Sequence, residues 1–363
     1  MFTNKTVIIV GAGASKEVNL PTGKELKDRI SNTLKIELDA MGRLIGSDRI
    51  ICSALESIIK RNGSDEKYHP PHLRYIFAAE KIRNAMPLSI SIDHFIDTHQ
   101  GDKALELCGK LAIVREILHA ERDSLLFFDP INQKPSIDHK SVEKTWLNSF
   151  MKLLTENCRI SKLEERLSSI IFVVFNYDRC VEHFLFNALQ TYYSIDDSRA
   201  AALVDRVKIY HPYGTVGDLP WSKKKHVIEF GAEPTPDKLI DLANQIKTFT
   251  EGADPNSSAI EEIRAGMAEA RIVLFLGFAY HPLNLNLIQA SRGAHLIPNT
   301  VQYFGTAMDI SDRNCDVISS DLTKLGGANQ NNITLRNNLT CYKLFSEYWR
   351  TLALSWSPRL TGA

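Results

Sequence analysis

Short, uninterrupted apolar runs punctuate the chain. They are Val7–Val10, Ile170–Phe175, Val207–Tyr210, Ile272–Leu276 and Val301–Phe304, with a weaker run at Asn332–Leu335. All have strand character, and Val7–Val10, Ile170–Phe175 and Ile272–Leu276 have no polar residue, the pattern of strands buried on both faces. The five stronger runs end at a Gly, Asn or His. Helical periodicity lies between most of them, which predicts an α/β fold: a Rossmann-like, parallel, doubly wound sheet of about six strands.

The first two strands are far apart in sequence. From Pro21 to Leu167 the chain reads as helix after helix, a large helical module inserted after the first strand. Pro21-Thr22 is expected to open a helix running through Leu26, Ile30, Leu34 and Leu38. Further helical patterns cover Asp48–Arg61, Pro71–Ala85, Asp102–Arg122 and Val142–Asn157. Loops are expected at 68–72 and 129–134, and His69 and His72 fit a surface turn better than a metal pair. The last pattern, Tyr342–Leu354, carries Leu344, Phe345, Tyr348, Trp349 and Leu352 as an apolar stripe. The expected division is therefore 1–20 plus 168–340 for the sheet domain, 21–167 for the insertion and 341–363 for a C-terminal helix and tail.

Composition narrows the function classes. The chain has 363 residues, 44% hydrophobic and 24% charged, with Lys+Arg and Asp+Glu both at 43. A formal charge of zero gives no global positive field, so direct nucleic-acid binding is not expected. Its six cysteines form no C-x-x-C pair, which argues against a zinc ribbon. No apolar run is long enough to span a bilayer and no leader pattern is present, so the expectation is a cytoplasmic protein with reduced thiols and no membrane contact.

The candidate chemistry sits at the strand ends. Val7–Val10 runs into Gly11-Ala12-Gly13-Ala14-Ser15, a strand meeting a phosphate-binding loop. The first Gly permits a tight turn and the second a close backbone approach to a pyrophosphate. The dinucleotide fingerprint G-x-G-x-x-G is broken, with Lys16 in place of the third Gly. After the second strand comes Asn176-Tyr177-Asp178. Asp178 is placed to cap the next helix, and Asn176 to aim its carboxamide at a sugar or a water. After the third comes His211-Pro212-Tyr213-Gly214, where His211 is a base for neutral pH or a structural hydrogen-bonder. Gly277-Phe278 after the fourth strand and Gly305-Thr306 after the fifth are small or tight-turning, and the latter suit the adenosine half of a dinucleotide.

In combination, G-A-G-A-S, N-Y-D, the His-x-x-Gly turn and G-F-A-Y-H-P resemble the sirtuin-like superfamily, over about residues 6–20 and 170–310. The resemblance implies a Rossmann-type domain that binds NAD as a substrate. It implies a pyrophosphate cradle at Gly11, Ala12, Gly13 and Ser15, with Phe278 beside Gly277 in a second nucleotide loop. Asn176 would work at the nicotinamide ribose, Asp178 would hold nicotinamide, and His211 would be the base. Aligning by Gly214 instead puts Tyr213 at the family's catalytic His. The four-Cys zinc module of deacetylating sirtuins is absent, so no zinc is expected. Ser91-Ile92-Asp93-His94-Phe95 is similar to a segment of bacterial defence members. The zinc-less, helix-rich branch looks like NAD-hydrolysing antiphage effectors, and the length is most like those paired with a HerA-type ATPase. The resemblance thus implies an NAD+ glycohydrolase, gated by homo-oligomerisation or by that partner. The alternatives are an NAD-dependent deacylase and a non-catalytic NAD or ADP-ribose sensor.

Overall fold

The computed structural model describes residues 5–62, 71–129, 136–248, 251, 257–290, 301–326 and 328–355; most of the loops expected at 68–72 and 129–134 lie outside them. The strands are β1 (Thr6–Val10), β2 (Ile36–Leu38), β3 (Leu44–Gly46), β4 (Ile170–Val174), β5 (Lys208–Tyr210), β6 (Ile272–Leu276), β7 (Gln302–Thr306) and β8 (Ile333–Arg336). Six of them form one all-parallel sheet in the order β5-β4-β1-β6-β7-β8. This is an α/β, Rossmann-like doubly wound sheet, with each half wound outward from β1 and β6.

Both faces of the sheet are covered, so β1, β4 and β6 are buried at every position. Ile8, Val10, Phe172, Val174, Leu274 and Leu276 face one core, which includes the helices Trp146–Thr155, Cys180–Tyr193 and Cys341–Glu347. Val7, Ile9, Ile171, Val173, Val273 and Phe275 face the other, against the helices Ser258–Glu269, Pro282–Ile288 and Asp312–Gly326. Continuous apolar sequence is the physical consequence, since successive side chains point to opposite faces and each meets a core.

The segment between β1 and β4 is mainly helical, and its Ile30, Leu55, Ile82 and Leu111 share a third core with Tyr213, Leu239 and Leu242 from beyond β5. It also holds an element that periodicity does not reveal. The helix opened by Thr22 ends at Thr33 rather than running through Leu38. Beyond it β2 and β3 form an antiparallel hairpin pairing Leu38 with Leu44. Leu34 and Leu38 mimic a helical repeat, but Leu38 is largely exposed. The C-terminal stripe is likewise two helices, Cys341–Glu347 and Trp349–Ser355, divided at Tyr348. Among the described residues no helix is long and apolar enough to cross a membrane.

Candidate active site

The switch point of the sheet lies between β1 and β6, where the two halves diverge. In open α/β sheets the crevice at the carboxyl ends of such strands is the ligand position. Here two backbone loops meet there directly. Gly11 N donates to Leu276 O at 2.9 Å and Gly13 N to Gly277 O at 3.0 Å. Gly277 has φ +54°, and a Cβ on it would stand 1.9 Å from Ala14 N. A Cβ on Gly11 would meet Gly277 O at 2.5 Å. These glycines are therefore required by contact between the loops, whatever they bind. Ala12 and Gly13 are the half-exposed part of the first loop, and Gly11 and Ser15 are buried.

One turn into the first loop, Ser15 meets the end of β4. Asn176 Nδ2 donates to Ser15 Oγ at 3.0 Å, and Ser15 Oγ donates to Asp178 Oδ2 at 2.9 Å. The other oxygen, Asp178 Oδ1, accepts Cys180 N at 3.1 Å at the start of the helix Cys180–Tyr193. Asp178 thus fills the capping role read from its position and reaches across to β1 as well. All three side chains are buried. Trp146 Nε1 donates to Ala14 O at 3.0 Å and braces the same turn from the sheet face.

His211 follows β5 and is held at both ring nitrogens. Nε2 lies 2.7 Å from Glu182 Oε1 and Nδ1 lies 3.2 Å from Asn176 O. An ionised Glu182 and a peptide carbonyl both accept, so this pair of contacts favours hydrogen on both ring nitrogens. Burial opposes charge on both partners, yet the pair prevails. His211 is raised above its ordinary value by Glu182 and the Asn176 carbonyl, and Glu182 is lowered below its own by His211. As held, both ring nitrogens of His211 are engaged, by Glu182 and by the Asn176 carbonyl. Its contact with the Asn176 carbonyl fixes the backbone beneath the Asn176 carboxamide.

Tyr213 takes a different direction. Its hydroxyl donates to Asn284 Oδ1 at 2.5 Å, on the helix that follows β6. The turn after β5 therefore reaches across the ends of β4 and β1 to the other half of the sheet. Its ring centre lies 5.8 Å from that of Phe175, which in turn lies 5.1 Å from Phe278. Tyr177, between Asn176 and Asp178, gives its hydroxyl hydrogen to Asp93 on the helix Ile92–Thr98. Burial raises the Asp93 carboxyl, against the lowering effect of that hydrogen bond. The inserted segment thus touches the candidate site through the stretch Ser91–Phe95.

The residues after β6 and at the end of β7 serve the loop. Gly305 and Thr306 lie inside β7 rather than beyond it. Thr306 Oγ1 accepts Gly277 N at 2.8 Å, and Tyr280 donates to Thr306 O at 3.0 Å. A Cβ on Gly305 would meet Tyr280 Oη at 2.2 Å. Both residues are buried, as is Phe278, and Thr306 braces the Gly277 turn.

The structure thus brings Gly11, Gly13, Ser15, Asn176, Asp178, His211 and Gly277 into one connected region. Sequence reading missed Glu182, which lies in the first turn of the helix after Asp178, and Asn284. It also missed the buried pair of Arg179 with Glu121, in which Nε lies 3.0 Å from Oε1. Glu182 alone had a local signal: a carboxylate one helical turn beyond Asp178, beside a strand-end His. Among the described residues no group of three or more His, Cys, Asp or Glu side chains is gathered as for a metal ion. No protein-family model matches the chain, and neither does any curated protein.

Proposed function

We propose that this chain hydrolyses NAD+ to nicotinamide and ADP-ribose. One observation carries the reading: Ser15, Asn176 and Asp178 form a buried hydrogen-bonded set beside the paired loops Gly11–Gly13 and Gly277, at the switch point of the sheet. The resemblance of these segments to sirtuin-like proteins supplies the substrate. The bond from ribose to nicotinamide breaks, the neutral base leaves, and water adds to the ribose carbon with loss of a proton. The leaving group needs no general acid, so orientation and charge stabilisation are the tasks left to the protein. Asn176 turns from Ser15 to the ribose or the water, Asp178 holds the carboxamide, and Ala12 and Gly13 face the pyrophosphate. His211 holds Asn176 from beneath, and it serves as a base only after Nδ1 leaves the Asn176 carbonyl.

Ser15, Asn176 and Asp178 are hydrogen-bonded to one another, so substrate that engages them must displace internal hydrogen bonds. That supports a gated enzyme, with homo-oligomerisation or a HerA-type ATPase as the proposed trigger. The same internal hydrogen bonds favour a second reading, a non-catalytic sensor of NAD or ADP-ribose. Incubation with NAD+ and separation of the products decides between them. Nicotinamide and ADP-ribose formed without any acylated peptide support hydrolysis. Tight NAD+ binding with no turnover, alone or with the ATPase, selects the sensor, and release only with an acyl-lysine substrate selects a deacylase.

A further inference from the structure

Behind His211, on the side away from the paired loops, lies a cavity of about 330 Å³. It is lined by Glu182, His211, Trp221, Asp218, Lys224 and Arg179, among others. Among the described residues three buried side-chain atoms have no hydrogen-bond partner, and two of them, Glu182 Oε2 and Trp221 Nε1, belong to this lining. Buried polar atoms are normally paired, so two orphans on one cavity need a reason. They are also held in place. Glu182 is fixed by His211 through its other oxygen, and the Trp221 indole is stacked on Phe186 with ring centres 4.7 Å apart. Phe186 lies one helical turn beyond Glu182, so the stack ties the indole to the helix that carries the carboxylate.

We infer that this cavity binds a small, uncharged, polyhydroxylated ligand of monosaccharide size. Glu182 Oε2 needs a donor and Trp221 Nε1 needs an acceptor, and a hydroxyl group is both. The ionisable lining groups balance, with Glu182, Asp205 and Asp218 against Arg179, His211 and Lys224. That balance favours a neutral ligand over an anion or a cation. The volume is many times the roughly 30 Å³ share of one water and falls within the ordinary range for small-molecule sites.

Saturation-transfer NMR on the full chain with D-ribose as the probe tests this. Saturable transfer to the ribose protons is expected. It should weaken roughly tenfold in Trp221→Phe, which keeps the stack on Phe186 and removes only the N–H. Glu182→Gln should weaken it similarly, and excess NAD+ should leave it unchanged. Absence of transfer, equal transfer in Trp221→Phe, or displacement by NAD+ would each overturn the assignment.

Discussion

Ser15 Oγ donates to Asp178 Oδ2 at 2.9 Å across 163 residues of sequence. The same oxygen accepts from Asn176, so one small hydroxyl joins the ends of β1 and β4. Ser15→Ala removes a donor and an acceptor from buried partners at once. A loss of about 1–3 kcal/mol is expected, because the orphaned groups keep their desolvation cost. Denaturant midpoints measured at constant slope would give the value.

Gly277 is the most constrained glycine of the site. Its φ of +54° and the 1.9 Å approach to Ala14 N leave no room for a side chain. Gly277→Ala should cost about 1–3 kcal/mol from backbone strain alone, with the overlap adding to it. Gly23, with nothing within 4 Å of its missing Cβ, is the control. Gly23→Ala should leave the thermal midpoint unchanged or raise it slightly.

β1, β4 and β6 were legible because burial on both faces imposes uninterrupted apolar runs, whereas β5 and β8, at the sheet edges, are only partly buried and mix polar with apolar residues. The β2–β3 hairpin was not legible, because each strand has three residues and Leu34 and Leu38 repeat with helical spacing. Gly11, Ser15, Asn176 and Asp178 were legible as strand-end chemistry. Their partners were not: the contact of His211 with Glu182, or of Tyr213 with Asn284, is made by packing between distant segments and leaves no local pattern. Gly305 and Thr306 lie within β7 rather than beyond it, because the strand continues through them.

Two buried histidines give opposite pH limbs. His183, stacked on Phe230 at 3.9 Å, is pushed by burial from 6.5 down to about 3. The unfolded chain then binds the extra proton below 6.5, so stability falls as pH drops, by about 1.4 kcal/mol per unit for one proton. His211 is raised above 6.5 despite its burial, by Glu182. Its contribution is complete below 6.5 and is lost as pH rises through the folded value. For these two groups together, stability peaks near 6.5. Urea midpoints against pH should show both limbs, with the acid limb reduced in His183→Phe and the alkaline limb reduced in Glu182→Gln.

Glu121 is fully buried and accepts from Arg179 Nε and, at 3.0 Å, from Gly231 N. It joins the helix Lys103–Arg122 of the inserted segment to the residue after Asp178. Glu121→Ala strands the guanidinium and should cost about 3–5 kcal/mol. Soluble yield and the unfolding midpoint would both fall. Glu116→Gln, on the same helix, should be milder.

The central claim is that Asn176 acts on the ribose of a bound NAD+. The most direct measurement is nicotinamide release from NAD+ by the wild-type chain and by Asn176→Ala, each alone and with the proposed HerA-type ATPase, with NAD+ affinity measured in parallel. Release by the wild type is expected, with a loss of at least about a hundredfold in the variant, the scale of a lost positioning and electrostatic contribution, and affinity changed only modestly. Equal release by both proteins, or none from a wild type that binds NAD+ when fully assembled, would contradict it.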